Sequence, residues 1–299
     1  MAGAARPPTQ AAESAAVQSP CARPATGEAP AVRELPTGTQ SRSHATFPMT
    51  KLTPYTASFF RGIRDDSYRS AQVVVPILLE YVRPRSVVDV GCGSGAWLHV
   101  FREQGIEDVV GVDGDYVPRE LLEISRDRFL PRDLAQPFSL ERCFDLAICL
   151  EVAEHLPPSS ADALVGSLTA LAPVVVFSAA IPWQGGTDHL NEQWPAYWVE
   201  RFRERGWSVA DPLRRRIWSN PEVGWWYVQN TLVYASPQAL EQNSLLREAV
   251  QRTDLAQLAM IHPKHYTVVA DPAQISLKQA LARLPGVAWR AVKRRLVHN

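Results

Sequence analysis

The chain carries no net charge: 31 Lys and Arg residues are balanced by 31 Asp and Glu. No global field therefore steers it toward nucleic acid or an anionic surface, and no nucleic-acid partner is expected. Cysteine is scarce too. The four residues Cys21, Cys92, Cys143 and Cys149 show no C-x-x-C spacing, which argues against a disulfide framework, a zinc ribbon or a redox pair. No apolar run approaches the roughly 18 residues needed to span a bilayer, and the N-terminus lacks the apolar core of a secretory signal. These absences predict a cytoplasmic protein with reduced thiols. Aromatic residues are almost missing from residues 1–48, where Phe47 stands alone among Ala, Pro, Ser, Thr and Gln. Such a stretch cannot bury enough apolar surface to offset its ordering entropy, so it is expected to be a disordered extension.

The rest of the chain has what that stretch lacks. A composition of 46% hydrophobic and 21% charged residues over 299 positions suits a soluble globular domain with appendages. Short apolar runs at residues 86–90, 108–112, 144–150 and 174–178 read as buried strands, with a weaker one near 128–134. Helical periodicity lies between them at residues 66–82, 96–104 and 119–124, the last opened by Pro118. Ser159 and Asp162 resemble a capping box for a helix carrying Leu164, Val165, Leu168 and Leu171. A helix over 194–205 and strands at 207–209 and 226–235 complete the pattern. Strand alternating with helix predicts an α/β three-layer sandwich, a mostly parallel sheet with helices on both faces. Its ligands bind beyond the carboxyl ends of the strands. Three segments follow: 1–48 as extension, 49–236 as the α/β domain, and 237–299 as a helical, basic C-terminal region.

Ligand chemistry concentrates at those strand ends. Asp89-Val90-Gly91-Cys92-Gly93-Ser94-Gly95 is a strand running into a glycine turn with a helix behind it. Such a turn lets backbone approach a ligand and aims unpaired N–H groups at it. Gly91, Gly93 and Ala96 loosely satisfy the dinucleotide fingerprint G-x-G-x-x-A. Asp89 argues the other way, because a carboxylate there repels a pyrophosphate and suits a cationic ligand such as S-adenosylmethionine. Asp113, ending the second strand, can accept ribose hydroxyls in either case.

Val87-Val88-Asp89-Val90-Gly91-Cys92-Gly93-Ser94-Gly95, Val110-Gly111-Val112-Asp113 and the run from Phe144-Asp145-Leu146 to Glu151-Val152-Ala153-Glu154-His155-Leu156 resemble motifs of the class I S-adenosylmethionine-dependent methyltransferases. The resemblance spans roughly residues 66–235 and implies a seven-stranded sheet with an antiparallel last strand. It implies that Asp89, Gly91, Cys92, Gly93 and Gly95 surround the methionine moiety of the cofactor, that Asp113 binds the ribose, and that Gly114 and Asp115 flank the adenosine. Asp133 and Leu134 would meet the adenine, and Glu151 would face the reactive end. A methyltransferase-like fold serving only as a binding module would show a degenerate loop; this one is intact.

The acceptor is less legible. A hydroxyl acceptor needs a base, whereas nitrogen or sulfur does not. His189, His155 and Glu151 are the candidate catalytic residues, with Glu154 and Asp188 nearby. No metal is required by this reading. If residues 151–155 are helical, however, Glu151, Glu154 and His155 share a face. With His189 they would form a magnesium or manganese site similar to that of small-RNA 3′-end 2′-O-methyltransferases. The loop 188–195 and the segment 218–230 resemble bacterial methyltransferases of glycan and small-molecule biosynthesis, so the expected acceptor is a saccharide or other small metabolite. Seven of the nine tryptophans fall between Trp183 and Trp226, mostly as packing. After Asp271 no acidic residue occurs while Lys278, Arg283, Arg290, Lys293, Arg294 and Arg295 accumulate. That pattern is a candidate peripheral membrane contact.

Overall fold

Side-chain alternation in the central strands decides the layering. In strand β4 (Leu146–Leu150), Leu146, Ile148 and Leu150 pack to one side of the sheet, and Ala147 and Cys149 to the other. Strand β5 (Val174–Ser178) repeats the pattern, with Val174 and Val176 opposed to Val175 and Phe177. Every residue of both strands is buried, as a sheet covered by helices on two faces requires. The computed structural model describes residues 57–271; the N-terminal extension and the basic segment after Asp271 lie outside them.

Strands β1 (Ser86–Val90), β2 (Asp108–Asp113), β3 (Phe129–Pro131), β4, β5, β6 (Ser208–Ala210) and β7 (Leu232–Ala235) form one sheet in the order β3-β2-β1-β4-β5-β7-β6. Strand β7 runs antiparallel to both neighbours, β5 and β6; the remaining pairs are parallel. The chain winds outward from β1 through β2 to β3, then returns to β4 on the other side of β1. That reversal opens the crevice at the carboxyl ends of β1 and β4.

Helices α1 (Ala57–Tyr81) and α2 (Ala96–Glu103) cover one face, whose core includes Val74, Leu78, Leu98 and Phe101. Helices α3 (Ala161–Leu171) and α4 (Pro195–Arg203) cover the other, with Leu164, Leu168, Trp198 and Phe202. Short helices α5 (Arg214–Ile217) and α6 (Trp225–Asn230) precede β7. Helices α7 (Pro237–Gln242), α8 (Ser244–Arg252) and α9 (Pro263–Ala270) follow it. Leu246 of α8 is fully buried in the core of the α1 face. No helix of the described residues is long and apolar enough to cross a membrane.

Four local expectations change. Helix α1 begins at Ala57, ahead of residue 66. The helix expected over 119–124 is one 3-10 turn, Arg119–Leu121, because the Glu123 N–H leaves the helical path to donate to Ser94 O at 2.8 Å. Helix α3 starts at Ala161 without a side-chain cap; Asp162 instead meets Arg201 at 3.5 Å. Residues 225–230 are helix rather than strand. The β-favouring run Trp225-Trp226-Tyr227-Val228 is overridden by packing, since Tyr227 meets Trp97 edge-on at 5.2 Å.

Candidate active site

The glycine turn after β1 is closed by backbone bonds to β2: the Gly91 N–H donates to Val112 O at 2.7 Å. Gly91 sits at φ +85°, and a Cβ placed there would lie 2.2 Å from Val152 Cγ2. Glycine is required at this position for both conformation and space. The Gly93 N–H then donates to Asp113 Oδ2 at 2.7 Å, tying the turn to the end of β2. The Gly95 N–H donates to Cys92 O at 2.8 Å, and Gly95 shapes the turn.

Two cavities meet over this turn. The larger, about 580 Å³, is lined by Asp113, Gly114, Asp133, Leu134 and Val152 among others. The smaller, about 200 Å³, is lined by Asp89, Cys92, Trp97, Trp226 and Tyr227 among others. Gly91, Gly93, Glu151 and His155 belong to both walls. Every expected cofactor residue except Gly95 therefore lines one or both of these cavities.

Its electrostatics suit a partly cationic ligand. Asp89 is buried, and burial, followed by the charge of Asp113, pushes its pKa well up. A cation arriving in the smaller cavity relieves both effects. Asp113 is also raised by burial, opposed by donors from Gly93, Tyr116 and Gly114; the Tyr116 hydroxyl donates to Oδ1 at 2.8 Å. The Cys92 thiol is pushed well up by burial, which makes it a packing wall rather than a nucleophile. The fit to adenosylmethionine thus rests on a glycine cradle that a Cβ would fill and a buried carboxylate beside it.

Beyond β4 the chain departs from the expected helix. Glu151 takes φ +55°, and only Ala153–His155 form a 3-10 turn. The four-residue metal set reduces to three, although the Glu151 and Glu154 side chains still hydrogen-bond each other. Ligand atoms of Glu154, His155 and His189 all lie within 4.8 Å of one another. Glu154 is buried; burial and then the Glu151 charge push its pKa well up, and its Oε2 has no hydrogen-bond partner among the described residues. His155 is lowered to about 4 by burial and by His189, and the two rings meet edge-on at 4.9 Å.

His189 stands behind His155 rather than on the cavity wall, and its Nδ1 lies 2.9 Å from Glu192 Oε1. Glu192 also accepts the backbone N–H groups of Trp183 and Gly185, each at 2.8 Å. These bonds and His189 hold its pKa below the usual carboxylate range against the effect of burial. Trp183 and Asp188 in this loop also have positive φ, a strain that clusters at functional sites.

Sequence reasoning missed the surroundings of Glu151. Gln184 Nε2 donates to its Oε2 at 2.9 Å and Asn230 Nδ2 to its Oε1 at 3.0 Å. Gln229 and Asn230, at the end of the segment 218–230, are buried and bond to Gln184 and to each other. The one available signal was two adjacent amides ahead of a buried strand.

Residues 63–216, more than half of the 299-residue chain, match the methyltransferase domain family. No curated protein sequence matches the chain. Among solved structures it is similar to the methyltransferase domain of a bacterial Hen1, at 20% identity over 56% of this chain and 96% of that one, TM-score 0.41. It is also similar to a sugar N-methyltransferase from Streptoalloteichus, at 16% identity over 67% and 99%, TM-score 0.45. A third is the magnesium protoporphyrin IX methyltransferase of Synechocystis with bound SAH, at 19% identity over 59% and 86%, TM-score 0.42. The chain belongs to the methyltransferase domain family and is an S-adenosylmethionine-dependent methyltransferase.

Proposed function

We propose that this enzyme transfers the methyl group to a hydroxyl of a saccharide or related small polyhydroxylated acceptor. The observation that carries the reading is the Glu154–His155–His189 cluster, with His155 on the wall shared by the two cavities. A nitrogen or sulfur acceptor needs only positioning, whereas a hydroxyl must lose a proton as it reacts. The cofactor supplies a methyl group already activated on a sulfonium. In this reading Asp113 holds the ribose hydroxyls, Asp133 and Leu134 the adenine, and Asp89, Gly91, Cys92 and Gly93 the methionine end. Glu192 orients His189 through Nδ1, and His189 packs edge-on against His155, whose imidazole stands on the shared wall and takes the acceptor's proton. Trp183 and Trp194, 72% and 40% exposed, offer faces on which a sugar ring can stack.

The test measures released adenosylhomocysteine with glycans, phenols, amines and RNA ends as acceptors. Turnover is expected with glycan hydroxyls, and turnover with amines alone would overturn the reading. His189→Ala should lower kcat about 100-fold while leaving cofactor affinity unchanged.

A second reading has its own support. The unpartnered Glu154 Oε2 beside two imidazoles is a donor set that fits a divalent cation. Such an ion would lower the acceptor hydroxyl's pKa without a free base. Under it, exhaustive chelation abolishes turnover and added magnesium or manganese restores it. Full activity after chelation leaves proton transfer to the His155–His189 pair.

A further inference from the structure

Glu151 is held by a directional chain of buried amides that starts outside the matched family segment. The starting point is the His262 backbone N–H, which donates to Gln229 Oε1 at 2.9 Å. A backbone N–H can only donate, so this bond fixes which end of the Gln229 amide faces which way. His265 Nδ1 lies 3.0 Å from the same oxygen, and Trp225 stacks on the His265 ring at 5.1 Å. Gln229 Nε2 is thereby turned toward Asn230 Oδ1 at 3.1 Å and Gln184 Oε1 at 3.2 Å. Asn230 must then present its nitrogen to Glu151 Oε1, and Gln184 presents its nitrogen to Oε2. The Ile181 N–H reinforces the Gln184 orientation from the backbone, at 3.3 Å.

Glu151 consequently meets amide donors at both oxygens, which fix the orientation of its side chain. Burial raises its pKa, and hydrogen bonds with the Asn230, Ser178, Gln184 and Glu154 side chains oppose that rise. Its backbone is held at φ +55°, and its side chain lines both cavities.

We propose that Asn230 and Gln184, with polarity set by Gln229 and His262, are positioning residues that hold the Glu151 side chain on the wall of both cavities for the cationic end of the methyl donor. The inference rests on reading these cavities as the donor's site. It makes residues after 216, including the loop and helix after α8, part of donor recognition. Such a device distinguishes the sulfonium of adenosylmethionine from the neutral thioether of adenosylhomocysteine, which favours donor over product.

Calorimetric titration of the full chain with each of the two ligands tests this. Asn230→Leu should weaken adenosylmethionine about tenfold, the scale of a hydrogen bond to a charged group, and leave adenosylhomocysteine within about twofold. Glu151→Gln should show the same selective loss, and adding Asn230→Leu to it should change nothing more. His265→Ala should shift the preference in the same direction and His265→Gln should restore most of it. Equal weakening of both ligands by Asn230→Leu would mean a merely structural role and overturn the proposal. If Asn230→Leu does not fold, Gln184→Met removes the other donor and is read the same way. Wild-type chain that binds neither ligand would instead overturn the assignment of the cavities, whereas wild type that binds both with Glu151→Gln unselective overturns only the role of the amide chain.

Discussion

Arg214→Ala should lose about 3–5 kcal/mol of stability, the cost of breaking a buried ion pair by removing one partner. With urea slopes of 1–3 kcal/mol per molar, the unfolding midpoint should fall by about 2 M. Arg214 is completely buried. Its Nε and Nη2 donate to Asp211 Oδ2 at 3.0 and 2.8 Å, and its Nη1 to Gln229 O at 3.0 Å and Leu258 O at 2.7 Å. One guanidinium thus joins α5, α6 and the turn after α8. Truncation leaves a carboxylate that is only 13% exposed and two carbonyls without their donor. Arg214→Lys should recover only part of the loss, because one ammonium cannot reproduce the planar fork. Arg216, two residues on, forms a pair with Glu80 at 2.6 Å, but both side chains are exposed, so Arg216→Ala should leave the midpoint unchanged.

Gly91→Val should weaken adenosylmethionine binding at least about 100-fold, measured by calorimetry on folded protein. Two costs combine. A β-branched residue at φ +85° is strained by about 1–3 kcal/mol, and its Cβ would fall 2.2 and 2.8 Å from the two Val152 methyl groups, an overpacking of similar size. Relief by shifting the turn pulls the Gly93 N–H from Asp113 Oδ2 and misplaces the wall common to both cavities. Adding Val152→Ala removes the collision and keeps the dihedral strain. The double variant should therefore regain part of the affinity, and full recovery would show that the conformation of Gly91 does not matter.

The residues that were legible carried local signals. β1 and its turn could be read because buried valines lead directly into glycines that only a tight turn explains, and Asp113 because it follows the run Val109-Val110-Gly111-Val112. Glu151 could not: nothing in Leu150-Glu151-Val152 announces a left-handed backbone at a non-glycine residue, which a buried amide set imposes from residues 184 and 230. Residues 225–228 have the side chains of a strand and are held helical by contacts with α1 and α2. Nothing within Arg214-Arg215-Arg216 itself marks its first member as buried; it is buried because Asp211 lies three residues before it and two distant carbonyls converge there. The residue types of the Glu154–His155–His189 cluster were plain, but its geometry depended on a loop whose backbone conformation has no local code.

The place of β7 in the sheet carries a consequence for synthesis. Strand β5 pairs on its outer side with β7, not with β6, which precedes β7 by more than twenty positions. Until residues 232–235 leave the ribosome, the Val174-Val175-Val176-Phe177 edge has open N–H and C=O groups and no charge to discourage a second nascent chain. Distant pairing of this kind also slows closure. Protection against self-association therefore arrives late, with a single four-residue strand that is inserted between two others.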